Sequence, residues 1–445
     1  MAAPWAAPAD TRPDRGSQKS TADLSALTLL IVLLIGVPSI LIFSPLGSAG
    51  TPADVLGLLL LIVWVFRRIS RGRPARKINP IVVAMMVFLT SVLAAYLAAA
   101  TRPITPIEIS AADRGLLSVV AWLGMLLAAM EGPADRDQLD TLMRRVAAGG
   151  GALATIGLLQ FVTKMPLVNY IVIPGLKENS DLAALLSDRN NLTRPPGTAI
   201  HPIEFGAVLT MILPFALHYA MYDKTRSQLR RWYPVAAIAA AVPISISRSA
   251  ILSAVIVLLF LLPTWAPALR RRAGAAIVAL VAALYLVVPG LIGTLTGLFT
   301  GISSDSSAAS RTDSYSLAFS FIAKHPLFGR GFRTFLPEYR ILDNQLLGAA
   351  IEMGLLGLAA LLALMLTGIF SSIKLRRLTN DAPTRQLAQA MAASIAAGGA
   401  SFALYDALSF PMAACMFFLI CGCAACLYRL VTASPPANAI VANSL

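Results

Sequence analysis

Ionisable side chains are scarce in this chain, and those that could do chemistry recur beside apolar runs. Arg194 lies in "TRPPGT", His201 and Glu204 in "IHPIEFG", and Arg248 in "SISRSA". Arg311 and Asp313 follow in "RTDSY", and "KHPLFGRGFRTF" supplies His325, Arg330 and Arg333. Asp343 and Asn344 come next, with Glu352 two turns deeper, before "MGLLGL". A guanidinium is a fixed fork of donors that matches planar anionic oxygen groups. Several arginines converging on one cavity would suit a phosphate or diphosphate. Gly329 and Gly331 flank Arg330 and permit close backbone approach.

Each of these residues also has a plainer reading. Arg248 either lines a polar pocket with Ser245, Ser247 and Ser249 or reaches to lipid headgroups. Asp343, at a helix start, either caps free backbone N–H groups or accepts a proton from an attacking hydroxyl. His325, before Pro326, reads as a loop contact ahead of a catalyst. Glu352 inside an apolar run needs a partner, which a loop arginine could supply. Arg330 and Arg333 face phosphate, or else pair with loop acids such as Glu338.

Several chemistries have no motif here. There is no phosphate-cradling G-x-x-x-x-G-K-[ST] loop, no H-E-x-x-H and no G-x-S-x-G. The expected chemistry therefore uses no metal and no cofactor, and is driven by the donor's own leaving group.

The elements that must position these residues are membrane helices. The chain has 445 residues, of which 57% are hydrophobic and 13% charged, and its mean hydropathy is +0.73. Soluble domains carry nearer a quarter charged residues. With about 20 apolar residues per crossing, the sequence predicts an all-α, polytopic bundle of about 12 spans. They are read near 24–43, 54–66, 79–100, 115–131, 146–163, 202–222, 233–246, 249–265, 274–293, 344–373, 387–407 and 409–428. The net charge of +14 could suggest nucleic acid, but its distribution argues against that partner. With the N-terminus in the cytoplasm, every short basic cluster falls inside, from Arg67–Lys77 through Arg270–Arg272 to Arg385. The expectation is a multi-pass membrane protein, among membrane lipids, with both termini cytoplasmic.

The chain reads as a single transmembrane domain, 24–430, between a polar, disordered tail over 1–23 and a C-terminal tail over 431–445. Two long outer loops, near 164–201 and 294–343, exceed ordinary connection lengths and are expected to be functional. "TDSYSLAFSFIAK" predicts a short amphipathic surface helix with Tyr315, Phe319 and Ile322 on one side. Cys415, Cys421, Cys423 and Cys426 have a spacing close to that of metal ligands. They read better as small apolar residues on a lipid-facing helix.

Three blocks resemble the O-antigen ligase/O-antigen polymerase superfamily of bacterial polytopic membrane proteins. They are "RPPGTAIHPIEFGAVLTMILPFAL", "ISISRSAILSAVIVLLF" and "RTDSYSLAFSFIAKHPLFGRGFRTF…DNQLLGAAIEMGLLGL", within residues 190–373. The resemblance implies transfer of a glycan from an undecaprenyl-diphosphate lipid to a glycan or lipid acceptor at the extracytoplasmic face. It also implies that arginines hold the departing diphosphate, and Arg194, Arg248 and Arg311 fall on the matching basic motifs. The family often begins its post-loop helix with His-Asn, where this chain has Asp343–Asn344, so Asp343 is the candidate base. The candidate catalytic residues are thus Asp343, Arg248 and Arg311. The candidate substrate contacts are Arg194, His201, His325, Arg330, Arg333, Asn344 and Glu352. Transport of a small anion or lipid-linked sugar, and a non-catalytic role in assembly, remain as other readings.

Overall fold

The computed structural model describes residues 15–71, 78–179, 187–189, 192–300 and 306–433. Within them the chain is a bundle of α-helices. The first eight are α1 (Arg15–Gly36), α2 (Pro52–Arg71), α3 (Pro80–Ala100), α4 (Pro106–Glu131), α5 (Arg136–Thr163), α6 (Pro202–Tyr222), α7 (Gln228–Ile244) and α8 (Arg248–Leu261). The rest are α9 (Pro267–Val287), α10 (Leu291–Thr300), α11 (Ser306–Lys324), α12 (Gln345–Glu352), α13 (Gly354–Leu378), α14 (Ala382–Ser401) and α15 (Pro411–Ala433). Two small antiparallel ribbons decorate one end. In the first, β1 (Leu41–Ile42) pairs with β2 (Lys177–Glu178), and in the second β3 (Ser187–Arg189) pairs with β4 (Leu192–Arg194).

Every apolar run read from the sequence falls on a helix. Six helices (α3, α4, α5, α6, α13 and α15) are long and apolar enough to cross a membrane. The α9–α10 pair, bent by 111°, would make a seventh. The difference from about 12 lies in shorter apolar helices such as Ala22–Gly36 and Arg248–Thr264. Helix α1 takes in residues 15–23, which the sequence had assigned to a disordered tail. Residues 1–14 and 434–445 lie outside the described residues.

The core forms where small residues let backbones approach closely. A Cβ on Gly124 would meet the Gly57 carbonyl at 2.1 Å, joining α4 to α2, and one on Gly422 would meet the Leu126 carbonyl at 2.6 Å, joining α15 to α4. Helix α15 is buried from Met412 to Leu427. All four cysteines are free and buried there. This corrects the lipid-facing placement, because they sit in the middle of the bundle. Among the described residues no group of His, Cys, Asp or Glu is gathered as for a metal ion.

The helices alternate in direction, so the bundle has two distinct ends. One gathers the basic clusters: Arg67 pairs with Asp23, Arg144 with Asp223 at 3.0 Å, and Arg429 donates to the Pro133 carbonyl. The other holds the starts of α2, α4, α6, α8 and α15, together with the long loops. Helix α11 packs Ala318, Phe321 and Ile322 against Leu342, Leu347 and Ile351. Tyr315 and Phe319 lie exposed on its outer side, and Ile322, at helical spacing from both, is half-buried at the rim of that contact.

Candidate functional site

Two groups of polar residues form at the loop-bearing end. The first gathers around the break between α7 and α8. Arg194, closing β4, donates from Nε to the Ser245 carbonyl at 3.2 Å. Ile246 sits at φ +46° and is fully buried. A β-branched residue there is a backbone outlier, and such strain clusters at functional sites. Ser247 caps α8, its hydroxyl 2.8 Å from that of Ser249, and Arg248 is the first helical residue. Gly206 of α6 permits this packing, since a Cβ there would meet Ala250 at 2.5 Å.

His201 caps α6: its Nδ1 accepts the Ile203 N–H at 3.2 Å. Burial, and then the charge of Arg194, pull its pKa from 6.5 down to about 4. The imidazole is therefore neutral at ordinary pH, with its proton on Nε2. It can donate a hydrogen bond, but Nδ1 is already occupied. Glu204, buried one turn on, accepts the N–H groups of Met412 (2.7 Å), Ala413 (3.1 Å) and Ile200 (2.9 Å). Two of these are orphan donors at the start of α15, so Glu204 caps that helix from another one.

The second group surrounds the stretch 325–335, which wraps the break between α12 and α13. Arg330 N–H donates to the Ile351 carbonyl at 3.1 Å and Gly331 N–H to the Glu352 carbonyl at 2.9 Å. In return Leu355 N–H reaches the Pro326 carbonyl at 2.8 Å. Gly329, at φ +70°, leaves no room for a Cβ, which would lie 2.3 Å from the Glu352 carbonyl carbon. The glycines thus do what their spacing suggested.

The Arg330 side chain turns inward. It pairs with Glu108 of α4, donates to the Tyr339 hydroxyl at 3.2 Å, and lies over the rings of Phe321 (5.0 Å) and Tyr339 (4.6 Å). Arg102 meets the same carboxylate at 3.2 Å and the Arg330 carbonyl at 2.9 Å. Glu108 is itself half of a capping box with Thr105. The partner of Arg330 is therefore Glu108 and not the exposed Glu338.

Arg333, at φ +62°, donates from Nη2 to the Leu408 carbonyl. Glu352 accepts the Phe335 N–H at 3.3 Å, so loop backbone reaches this carboxylate. Asn344 is the cap of α12, accepting the Leu346 and Leu347 N–H groups, so capping falls to it and not to Asp343. His325 is exposed on the loop. Arg311 lies on α11, but its side chain is outside the described residues.

The loop between α14 and α15, residues 402–410, joins the two groups. Gln345 donates its N–H to the Phe402 carbonyl at 2.8 Å, and its Oε1 accepts the Leu408 N–H at 2.8 Å. Phe410 lies 6.3 Å from the His201 ring and 5.3 Å from Tyr405. Asp406 sits on this loop, and burial pushes its carboxyl above the ordinary range. Its hydrogen bond with Ser409 and the charge of Arg333 act against that rise, and the charge of Asp343 adds to it. Sequence reasoning missed Asp406 and Glu108. The T-x-x-E pattern before an apolar run signals Glu108, while a lone acid in "LYDALSFP" is the faint sign of Asp406.

No curated protein matches the chain significantly. A family model described as O-antigen ligase matches residues 233–362. That segment runs from α7 into α13, taking in Arg248, His325, Arg330, Arg333, Asp343 and Glu352 but not Arg194 or His201. Over those residues the chain is similar to the O-antigen ligase family.

Proposed function

We propose that the chain is a glycosyltransferase that moves or polymerises glycan from an undecaprenyl-diphosphate-type donor. The reaction takes place at the loop-bearing end of the bundle. That end is extracytoplasmic, because the basic clusters gather at the opposite one. One observation carries the reading. Arg194 and the Ser245–Arg248 break, distant in sequence, meet at a single strained turn at this end. Two guanidiniums there can hold a diphosphate, and Arg311 is proposed to add a third.

The chemistry needs no metal. The acceptor hydroxyl oxygen bonds to the anomeric carbon, the bond from that carbon to the phosphate oxygen breaks, and its electron pair leaves with the diphosphate. Arginines neutralise that charge as it grows. Asp343 accepts the hydroxyl proton. A transport reading gains little, because the break between α9 and α10, "VPGL", carries no charged residue.

The test is release of lipid diphosphate when purified protein in liposomes meets lipid-linked glycan. Arg248→Ala and Arg194→Ala should each slow release by about a hundredfold or more while leaving thermal stability near wild type. Wild-type rates in both variants would sink the proposal. Arginine-dependent flux without diphosphate release would turn it toward transport.

A further inference from the structure

The two larger cavities open away from the site described above. One, of about 490 Å³, lies at the basic end between α3 and α13 and is closed on one side by Tyr428 of α15. Between the lining residues Ile78 and Pro80, Asn79 caps α3 and donates from Nδ2 to the Ala425 carbonyl at 2.9 Å, fixing the start of α3 on α15. The walls are apolar and outward-facing, with Leu366 49% and Phe370 63% exposed. In a membrane-crossing helix such a face meets lipid.

The head of the groove differs from its walls. Thr367 and Ser371 line it on α13, and Lys374 follows one turn later, exposed. Among the described residues no carboxylate pairs with Lys374. Arg376 and Arg377 continue the same positive end. An apolar trough topped by hydroxyls and an uncompensated ammonium complements a phosphate group carrying acyl chains. Basic pockets between membrane helices on the cytoplasmic side are suited to such headgroups.

We propose that this groove between α3 and α13 is a binding site for an anionic glycerophospholipid, with its phosphate on Lys374 and an acyl chain along Leu366 and Phe370. The site is independent of the transfer reaction.

The test is lipid retention by the purified full chain, read by native mass spectrometry after exchange from vesicles. The vesicles are equal mixtures of phosphatidylglycerol and phosphatidylcholine. About 1 kcal/mol per basic residue near a membrane surface corresponds to roughly fivefold preference for phosphatidylglycerol. Lys374→Ala should abolish that preference, and Leu366→Trp, which fills the trough, should lower retention of both lipids. Both substitutions are at exposed positions, and a matched melting temperature checks the fold. Equal retention of the two lipids by wild type, or an unchanged preference in Lys374→Ala, would overturn the proposal.

Discussion

Arg330→Ala should act on stability before it acts on chemistry. The guanidinium side chain is 8% exposed and its partner Glu108 is 2% exposed, so the pair is removed from water. Deleting one member of a buried pair costs about 3–5 kcal/mol, because the other is left uncompensated. The two variants should nonetheless differ. After Arg330→Ala, Glu108 keeps Arg102 at 3.2 Å, and the loss falls toward the lower bound. The lost stacking over Phe321 and Tyr339 adds about 1 kcal/mol. After Glu108→Ala, two guanidiniums lose their shared carboxylate, and the loss moves toward the upper bound. In that background Arg330→Ala should cost little more, since the charge it removes is already stranded. Thermal melting of the four proteins of this double-mutant cycle, in one detergent, measures the coupling. Arg330→Lys should be intermediate, keeping the charge and losing the fork. If Arg330→Ala melts with wild type and yet abolishes transfer, Arg330 faces substrate and the positioning argument is refuted.

Glu204→Ala should cost about 1–3 kcal/mol by leaving buried N–H groups at the start of α15 without an acceptor, while Glu204→Gln, which keeps one oxygen, should cost less; denaturant titration of both decides. His201 binds a proton less readily folded (about 4) than unfolded (6.5). Unfolding therefore takes up protons between those values, and stability falls as pH drops from 6.5 toward 4. His201→Asn, which keeps a capping acceptor, should flatten that slope in melts across the window. Gly329→Ala forces a Cβ into the Glu352 carbonyl and should undock the loop, seen as new protease cleavage within 325–340. Arg248→Lys should retain stability yet lose most transfer activity, because a point charge does not replace a bidentate fork.

The helices were legible because apolar runs of membrane length have one stable form in lipid, where every backbone group must be paired within the segment. The glycines of "GRGF" were legible too, since close backbone approach leaves few alternatives. Partner choice was not. Glu108 and Arg330 are 222 residues apart, and nothing local distinguishes an arginine that holds substrate from one that holds a helix. Asp343 was weighed as a cap because it precedes a helix. Its neighbour Asn344 takes that role, a one-residue shift that spacing alone cannot resolve. The cysteines were placed toward lipid because a wholly apolar helix looks alike in the bundle centre and at its rim.

The arginines at the loop-bearing end thus divide by what holds them. Arg330 is held by a carboxylate and two rings, and Arg333 by a carbonyl on the loop between α14 and α15. Both fix the second long loop onto the bundle. Arg194 spends its Nε on a carbonyl at the α7–α8 break, and Arg248 stands at the start of the helix that follows. We propose that Arg194 and Arg248, and not Arg330 or Arg333, meet the donor's diphosphate. A carboxylate in the same position would compete with the leaving group for the guanidinium fork. On that proposal the α7–α8 break is where the donor's charge would rest. The Arg330–Glu108 pair holds the loop that leads to Asp343, the proposed base. Moving an acid to the break, as in Ser249→Asp, should therefore depress donor binding more than any neutral substitution there, a difference that titration with lipid diphosphate alone can measure.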